Sequence, residues 1–145
     1  MGKARTYDGK DIAISFDMSR CIHARNCYLK LPQVFDPPRR PWVDPDAAPA
    51  EDIAAMIRTC PSGALTYARR DGGRDETPPA INRVAVWENG PLALAGDLQM
   101  GEDRMQRATL CRCGLSATKP FCDHSHVKGG FQATGEPAEA EGEAQ

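Results

Sequence analysis

No apolar run in the sequence approaches the ~18–20 residues that a membrane-spanning helix needs, so no membrane partner is expected. The opening stretch Met1-Gly2-Lys3-Ala4-Arg5-Thr6-Tyr7-Asp8 carries charge but no apolar segment of a secretory signal, and the expected compartment is the cytoplasm. There is no basic excess. Lys+Arg number 18 against 20 Asp+Glu, a formal charge of −2, which argues against a nucleic-acid footprint. Aromatic residues are scarce, at 6% of 145 residues. Neither a nucleophile with its base, nor a phosphate-cradling glycine loop, nor a substrate-pocket motif can be found, so no enzymatic role is expected. The length suits one ordinary domain or two very small ones.

What is present is cysteine: Cys21, Cys27, Cys60, Cys111, Cys113 and Cys122, six in all. In a reducing compartment such a number points to metal rather than to bridges. Cys111 and Cys113 are one residue apart, too close to pair readily with each other but well placed to put two thiolates on one metal centre. The cysteines fall in two groups. Between them, residues 69–79 (Arg69-Arg70-Asp71-Gly72-Gly73-Arg74-Asp75-Glu76-Thr77-Pro78-Pro79) lack any apolar residue and read as a linker. Residues 1–68 and 80–134 are then two candidate domains whose metal sites should behave independently. The acidic end 135–145, with Glu136, Glu139, Glu141 and Glu143, reads as a disordered tail.

Ile12-Ala13-Ile14-Ser15-Phe16 alternates as a strand should, and Ala64–Ala68 is its expected partner. Asn26–Leu31 allows a short helix that Pro32 stops. Pro49–Cys60 reads as an amphipathic helix, with Ile53, Met56, Ile57 and Cys60 on its buried face and Glu51 and Asp52 in the favourable first turn. Pro61 would end it. Pro37–Pro41 reads as an extended segment delivering Trp42 and Val43 to a small core. In the second half, Val84–Trp87 and Leu92–Gly96 flank Glu88-Asn89-Gly90-Pro91, a strong turn signal, and Met105–Leu110 can add a third strand. About 50 residues bury little surface, and a metal is the usual remedy below ~70–80 residues.

The run from Cys111 to His126 offers three thiolates and an imidazole, a donor set that could serve zinc or an iron–sulfur cluster. It resembles the CDGSH iron–sulfur domain family, whose motif is C-x-C-x2-[ST]-x3-P-x-C-D-G-[STA]-H. The match lies at Cys111, Cys113, Ser116, Pro120, Cys122, Asp123, Ser125 and His126, and about 50 residues are covered once Asn89–Leu92 and Gly130-Phe131 are included. His124 stands where the family has glycine. If the family uses a positive φ there, histidine accepts it at modest strain; its side chain reads as a surface group. The resemblance implies a 2Fe–2S cluster, with Cys111 and Cys113 on the inner iron and Cys122 and His126 on the outer one. Asp123 would orient the loop.

Cys21-Ile22-His23-Ala24-Arg25-Asn26-Cys27 with the remote Cys60-Pro61 is the second constellation. Bacterial ferredoxins use C-x2-C-x2-C and a remote C-P. Here the outer spacing is kept and Ala24 holds the middle place. Residues 12–68 resemble divergent single-cluster ferredoxin domains. With three thiolates, from Cys21, Cys27 and Cys60, the simplest cofactor is 3Fe–4S. A 4Fe–4S cluster would need a non-cysteine fourth ligand, and His23, a water or a partner's group are the candidates.

Together these resemblances imply an α+β chain: a small ferredoxin-like N-terminal domain followed by a small β-rich CDGSH-type domain. The expected function is electron transfer or iron–sulfur cluster transfer through two unlike clusters, to a redox partner protein or an apo-protein acceptor. Relatives with one such C-terminal domain dimerise by strand exchange, which implies a homodimer unless the N-terminal domain covers that surface. The alternative is a non-redox zinc-binding adaptor, which would be colourless.

Overall fold

The alternation at Ile12–Phe16 creates the central strand of the first sheet. In the structure, a computed structural model describing residues 4–136, strand β2 (Ile12–Phe16) lies between β1 (Arg5–Asp8) and β3 (Leu65–Arg69). It is antiparallel to both, with Phe16 opposite Arg5 and Leu65. Ile12 and Ile14 are fully buried against helix α2 (Ala50–Ile57), whose Ile53, Met56 and Ile57 complete the core with Val34, Phe35 and Val43. Burying an aliphatic side chain of this size contributes about 1.5–3 kcal/mol. Glu51 and Asp52 occupy the first turn of α2 as expected. Helix α1 (Asn26–Lys30) is short and ends before Pro32.

Three local expectations need correction. Helix α2 stops at Ile57, so Cys60 is not on its buried face but in the turn beyond it, half-buried. The residue before a proline avoids helical backbone, and the chain tightens early: Thr59 Oγ1 donates to the Met56 carbonyl at 2.6 Å and the Cys60 amide to that of Ile57 at 2.9 Å. Residues 37–41 are not extended. They double back so that Phe35 bridges Val43, while the Arg39 guanidinium donates to the carbonyls of Val34 (2.9 Å) and Trp42 (3.2 Å). Trp42 and Val43 still reach the core, Trp42 edge-on to Phe16 at 5.0 Å. Strand β1 is additional, with Tyr7 its one buried residue.

The second sheet is the meander β4 (Arg83–Val86), β5 (Leu92–Met100) and β6 (Asp103–Leu110), turning at Asn89-Gly90 and Gly101-Glu102. Strand β5 runs past Gly96 because a bulge between Ala95 and Leu98 absorbs the glycine, and β6 begins two residues before Met105. A single helical turn, α3 (Ser125–Lys128), follows the last cysteine.

The stretch 69–79 is more than a tether. Arg69 completes β3, its amide donates to Asp75 Oδ1 at 2.7 Å, and Glu76 forms a two-point ion pair with Arg107 of β6 at 2.8 and 2.9 Å. Of the acidic tail, only Gly135 and Glu136 fall within the described residues; the expectation of disorder for the remainder lies outside them. No helix among the described residues is long and apolar enough to cross a membrane.

Candidate metal centres

Cys21 follows a 3-10 turn (Met18–Arg20), Cys27 lies in the first turn of α1, and Cys60 follows α2, so three separate elements bring the N-terminal thiols to one cavity of about 730 Å3. His23 and Ala24 line the same cavity, with Phe16 and Trp42 among its apolar walls. His23 and Arg25 both take the left-handed conformation, with φ of 58° and 70°. This tight winding turns the His23 amide onto Cys21 Sγ at 3.4 Å. Burial raises the thiol pKa of Cys21, offset in part by that amide, and raises that of Cys27 in the same way, offset by the Tyr28 amide. A bound metal reverses this preference by displacing the thiol proton.

The C-terminal donors come as two pairs. Cys111 Sγ and Cys113 Sγ are 3.8 Å apart, and Cys122 Sγ is 3.5 Å from Nδ1 of His126. Two thiolates on one tetrahedral metal stand about 3.8 Å apart, and a thiolate and an imidazole about 3.5 Å, given bonds of about 2.3 and 2.0–2.1 Å. Each pair therefore fits one metal position. Among the described residues no three His, Cys, Asp or Glu side chains converge on a single ion. Backbone amides point at the sulfurs: Gly114 to Cys111 at 3.3 Å, Leu115 to Cys113 at 3.4 Å and His124 to Cys122 at 3.4 Å. Burial pushes the Cys111 thiol up, but the amides of Ser116 and Gly114 and the Cys113 thiol outweigh it and leave the pKa lowered. Burial raises that of Cys122.

The loop is held by its own polar residues. Buried Ser116 donates to the Phe121 carbonyl at 2.6 Å. The Asp123 carboxylate accepts from the amides of Ala117 (2.9 Å) and Ser125 (3.0 Å), joining the two limbs. Its pKa falls to about 2 because of the bonds to Ser125 and Ala117. His124 has φ 74°, the left-handed geometry that the family glycine would adopt freely. Its side chain is not a surface group, however. It is half-buried, 5.2 Å from the ring of His126 and 5.5 Å from that of His23.

Residues that sequence reasoning did not single out join the two halves. Arg107, 7% exposed, donates to the carbonyls of Ile57 (2.9 Å), Cys60 (2.6 Å) and Leu65 (2.9 Å). Arg20 donates to the carbonyls of Ser62 (2.8 Å) and Arg107 (2.7 Å) and lies over the Phe121 ring. Positively charged strand and turn residues read as solvated in a sequence, and no pattern marks buried Arg107 or half-buried Arg20 as clasps.

Two half-chains, each with its own group of clustered cysteines, define a metal-binding class of protein. Residues 7–70 match the family described as divergent 4Fe–4S mono-cluster, and residues 89–127 match the iron-binding zinc finger of CDGSH type. The Escherichia coli protein called uncharacterized protein YjdI, in strain K12 and in O157:H7, is 36% identical over 69 residues, which is 48% of this chain and 91% of the relative. The chain belongs to the divergent 4Fe–4S mono-cluster family and carries a CDGSH-type iron-binding domain behind it. No solved structure matches it significantly.

Proposed function

We propose that the protein carries two unlike iron–sulfur clusters and serves as a one-electron carrier or cluster donor rather than as a catalyst. The observation that carries this reading is the pairing of C-terminal donors, 3.8 Å for Cys111–Cys113 and 3.5 Å for Cys122–His126. In this reading Cys111 and Cys113 hold one iron of a 2Fe–2S cluster, and Cys122 with Nδ1 of His126 holds the other. Cys21, Cys27 and Cys60 hold the second cluster, within an α+β unit of single-cluster ferredoxin type. Ala24 lies at the open ligand place, so the site takes three irons, or four with a non-cysteine donor. When bound, each cluster would supply reversible one-electron chemistry. The chain's part is to present thiolates, aim amide N–H groups at the sulfurs and wall off water with Phe16 and Trp42. The partner is a redox protein or an apo-protein acceptor, met in the cytoplasm.

Anaerobic counting of iron and acid-labile sulfide, with EPR before and after reduction, tests the reading. It expects sulfide in near-parity with iron and signals from two distinct clusters. A colourless, sulfide-free protein holding zinc would favour the adaptor instead.

A further inference from the structure

The two ligand loops run side by side. Arg20, immediately before Cys21, lies over the ring of Phe121, immediately before Cys122, at 4.9 Å. His23, two residues after Cys21, meets His124, two residues after Cys122, with ring centroids 5.5 Å apart. Cys21 and Cys122 are thus each bracketed by the same two contacts across the interface. Both histidines are in the left-handed conformation, φ 58° and 74°, and each sends its amide to the sulfur of its own loop's cysteine at 3.4 Å. His124 also faces His126, at 5.2 Å and 75°. Centroid separations of 4.5–7 Å are contact distances for aromatic pairs. The result is a continuous row: Cys21, His23, His124, His126.

The ring contact itself reaches neither sulfur; the backbone amides do that. The turn at His124 would form at least as well with glycine, which takes a positive φ without strain, and a glycine would not fill the gap to His23. What the rings add is a bridge. Electronic coupling decays more slowly through contacting π systems than across a solvent gap, and the clasp of Arg107, Glu76 and Arg20 fixes the two halves at one spacing.

We infer that the His23–His124 contact is an internal electron relay between the two cluster sites, which makes the chain a two-centre carrier. This rests on the two-cluster reading above. In the step, one electron would leave the reduced centre held by Cys21, Cys27 and Cys60, and one would be gained by the oxidised centre held by Cys111, Cys113, Cys122 and His126. No bond forms or breaks and no proton moves. The imidazole of His126 would favour this direction, because it raises the potential of a 2Fe–2S centre above that of its all-thiolate counterpart. The electron enters from a low-potential one-electron donor, such as a reduced flavin.

The test uses the full chain with both clusters loaded, in the parent and in His124→Gly and His124→Asn, two substitutions that tolerate a positive φ. Iron and sulfide are counted first. A flash-photoreduced flavin then delivers less than one electron per molecule, and its redistribution between the two visible signatures is followed at several protein concentrations. EPR of the reduced state reports the magnetic interaction between the clusters. The relay predicts a concentration-independent redistribution in the parent and a severalfold slower one in both variants, with iron content and magnetic interaction unchanged. An equal rate in parent and variants overturns it, as does slowing accompanied by loss of the magnetic interaction, which would make His124 a spacer. A parent that holds only one cluster refutes the two-cluster reading itself and is told apart by the iron count.

Discussion

Arg107, rooted in the C-terminal sheet, donates a 2.6 Å hydrogen bond to the carbonyl of Cys60, a thiol of the N-terminal donor set. The same guanidinium caps α2 through Ile57 and is neutralised by Glu76 from the connecting stretch. The second half of the chain therefore shapes a ligand turn of the first, and the two centres share a mechanical boundary. The independence expected across the linker 69–79 should then not extend to stability.

Removing Arg107 should show this. Arg107→Ala leaves the half-buried carboxylate of Glu76 and three carbonyls without their donor; breaking a fully buried pair costs about 3–5 kcal/mol, and the loss here should be somewhat less. Thermal melts followed at the visible bands should shift down for both clusters together. Arg107→Lys keeps the charge without the planar fork and should fall between. A melt in which only the C-terminal signature moves would contradict the clasp.

His126 should make the C-terminal cluster acid-labile, because imidazole must be neutral to bind metal. His126→Cys is expected to slow bleaching at mildly acidic pH and to lower the reduction potential, as thiolate donates more electron density. Equal bleaching rates in parent and variant would remove His126 from the ligand set.

Asp123 contributes differently. Its carboxyl, held at about 2 against an ordinary 3.8, is depressed by Ser125 and Ala117. A depressed carboxylate stabilises the fold fully above its ordinary value and loses that contribution as pH falls toward the folded one. Bleaching at milder pH therefore does not report Asp123. Asp123→Asn should speed cluster loss by a factor that is the same at neutral and mildly acidic pH, read from absorbance decay. A factor that grows across that interval would place Asp123 in the proton-sensitive step.

Ala24 lines the N-terminal cavity at the place where a four-cysteine ferredoxin has its second thiolate. Ala24→Cys should convert a three-iron centre, EPR-active when oxidised, into a four-iron one that is silent when oxidised and lower in potential. A parent already silent when oxidised, with a fourth iron made labile by His23→Ala, would mean that His23 completes the site.

Much of this was legible in the sequence because periodicity and punctuation agree with packing. Ile12–Phe16 and Leu65–Tyr67 alternate, Ile53, Met56 and Ile57 recur on one helical face, and Asn89-Gly90 marks the hairpin turn. Strand β1 was not legible, since Arg5-Thr6-Tyr7-Asp8 buries only Tyr7 and gains its order from pairing with β2. Cysteine spacing picked out both groups of thiols, and position 124, where the family motif has glycine, is a left-handed turn. The juxtaposition of the two sets was hidden. It depends on Arg107, buried, and on Arg20 and Glu76, half-buried, whose contacts arise only once two sheets have come together, and local sequence carries no trace of that meeting.

The most direct test of the central claim is Mössbauer spectroscopy of iron-enriched, anaerobically isolated protein, set beside the same measurement on Cys60→Ser. Two unlike clusters predict two superposed sets of signals in the parent. One comes from a two-iron centre whose two sites differ because one carries His126; the other comes from a three- or four-iron centre. Cys60→Ser should retain the first set and lose the second. A single set of signals in the parent, or loss of both sets in the variant, would contradict the account.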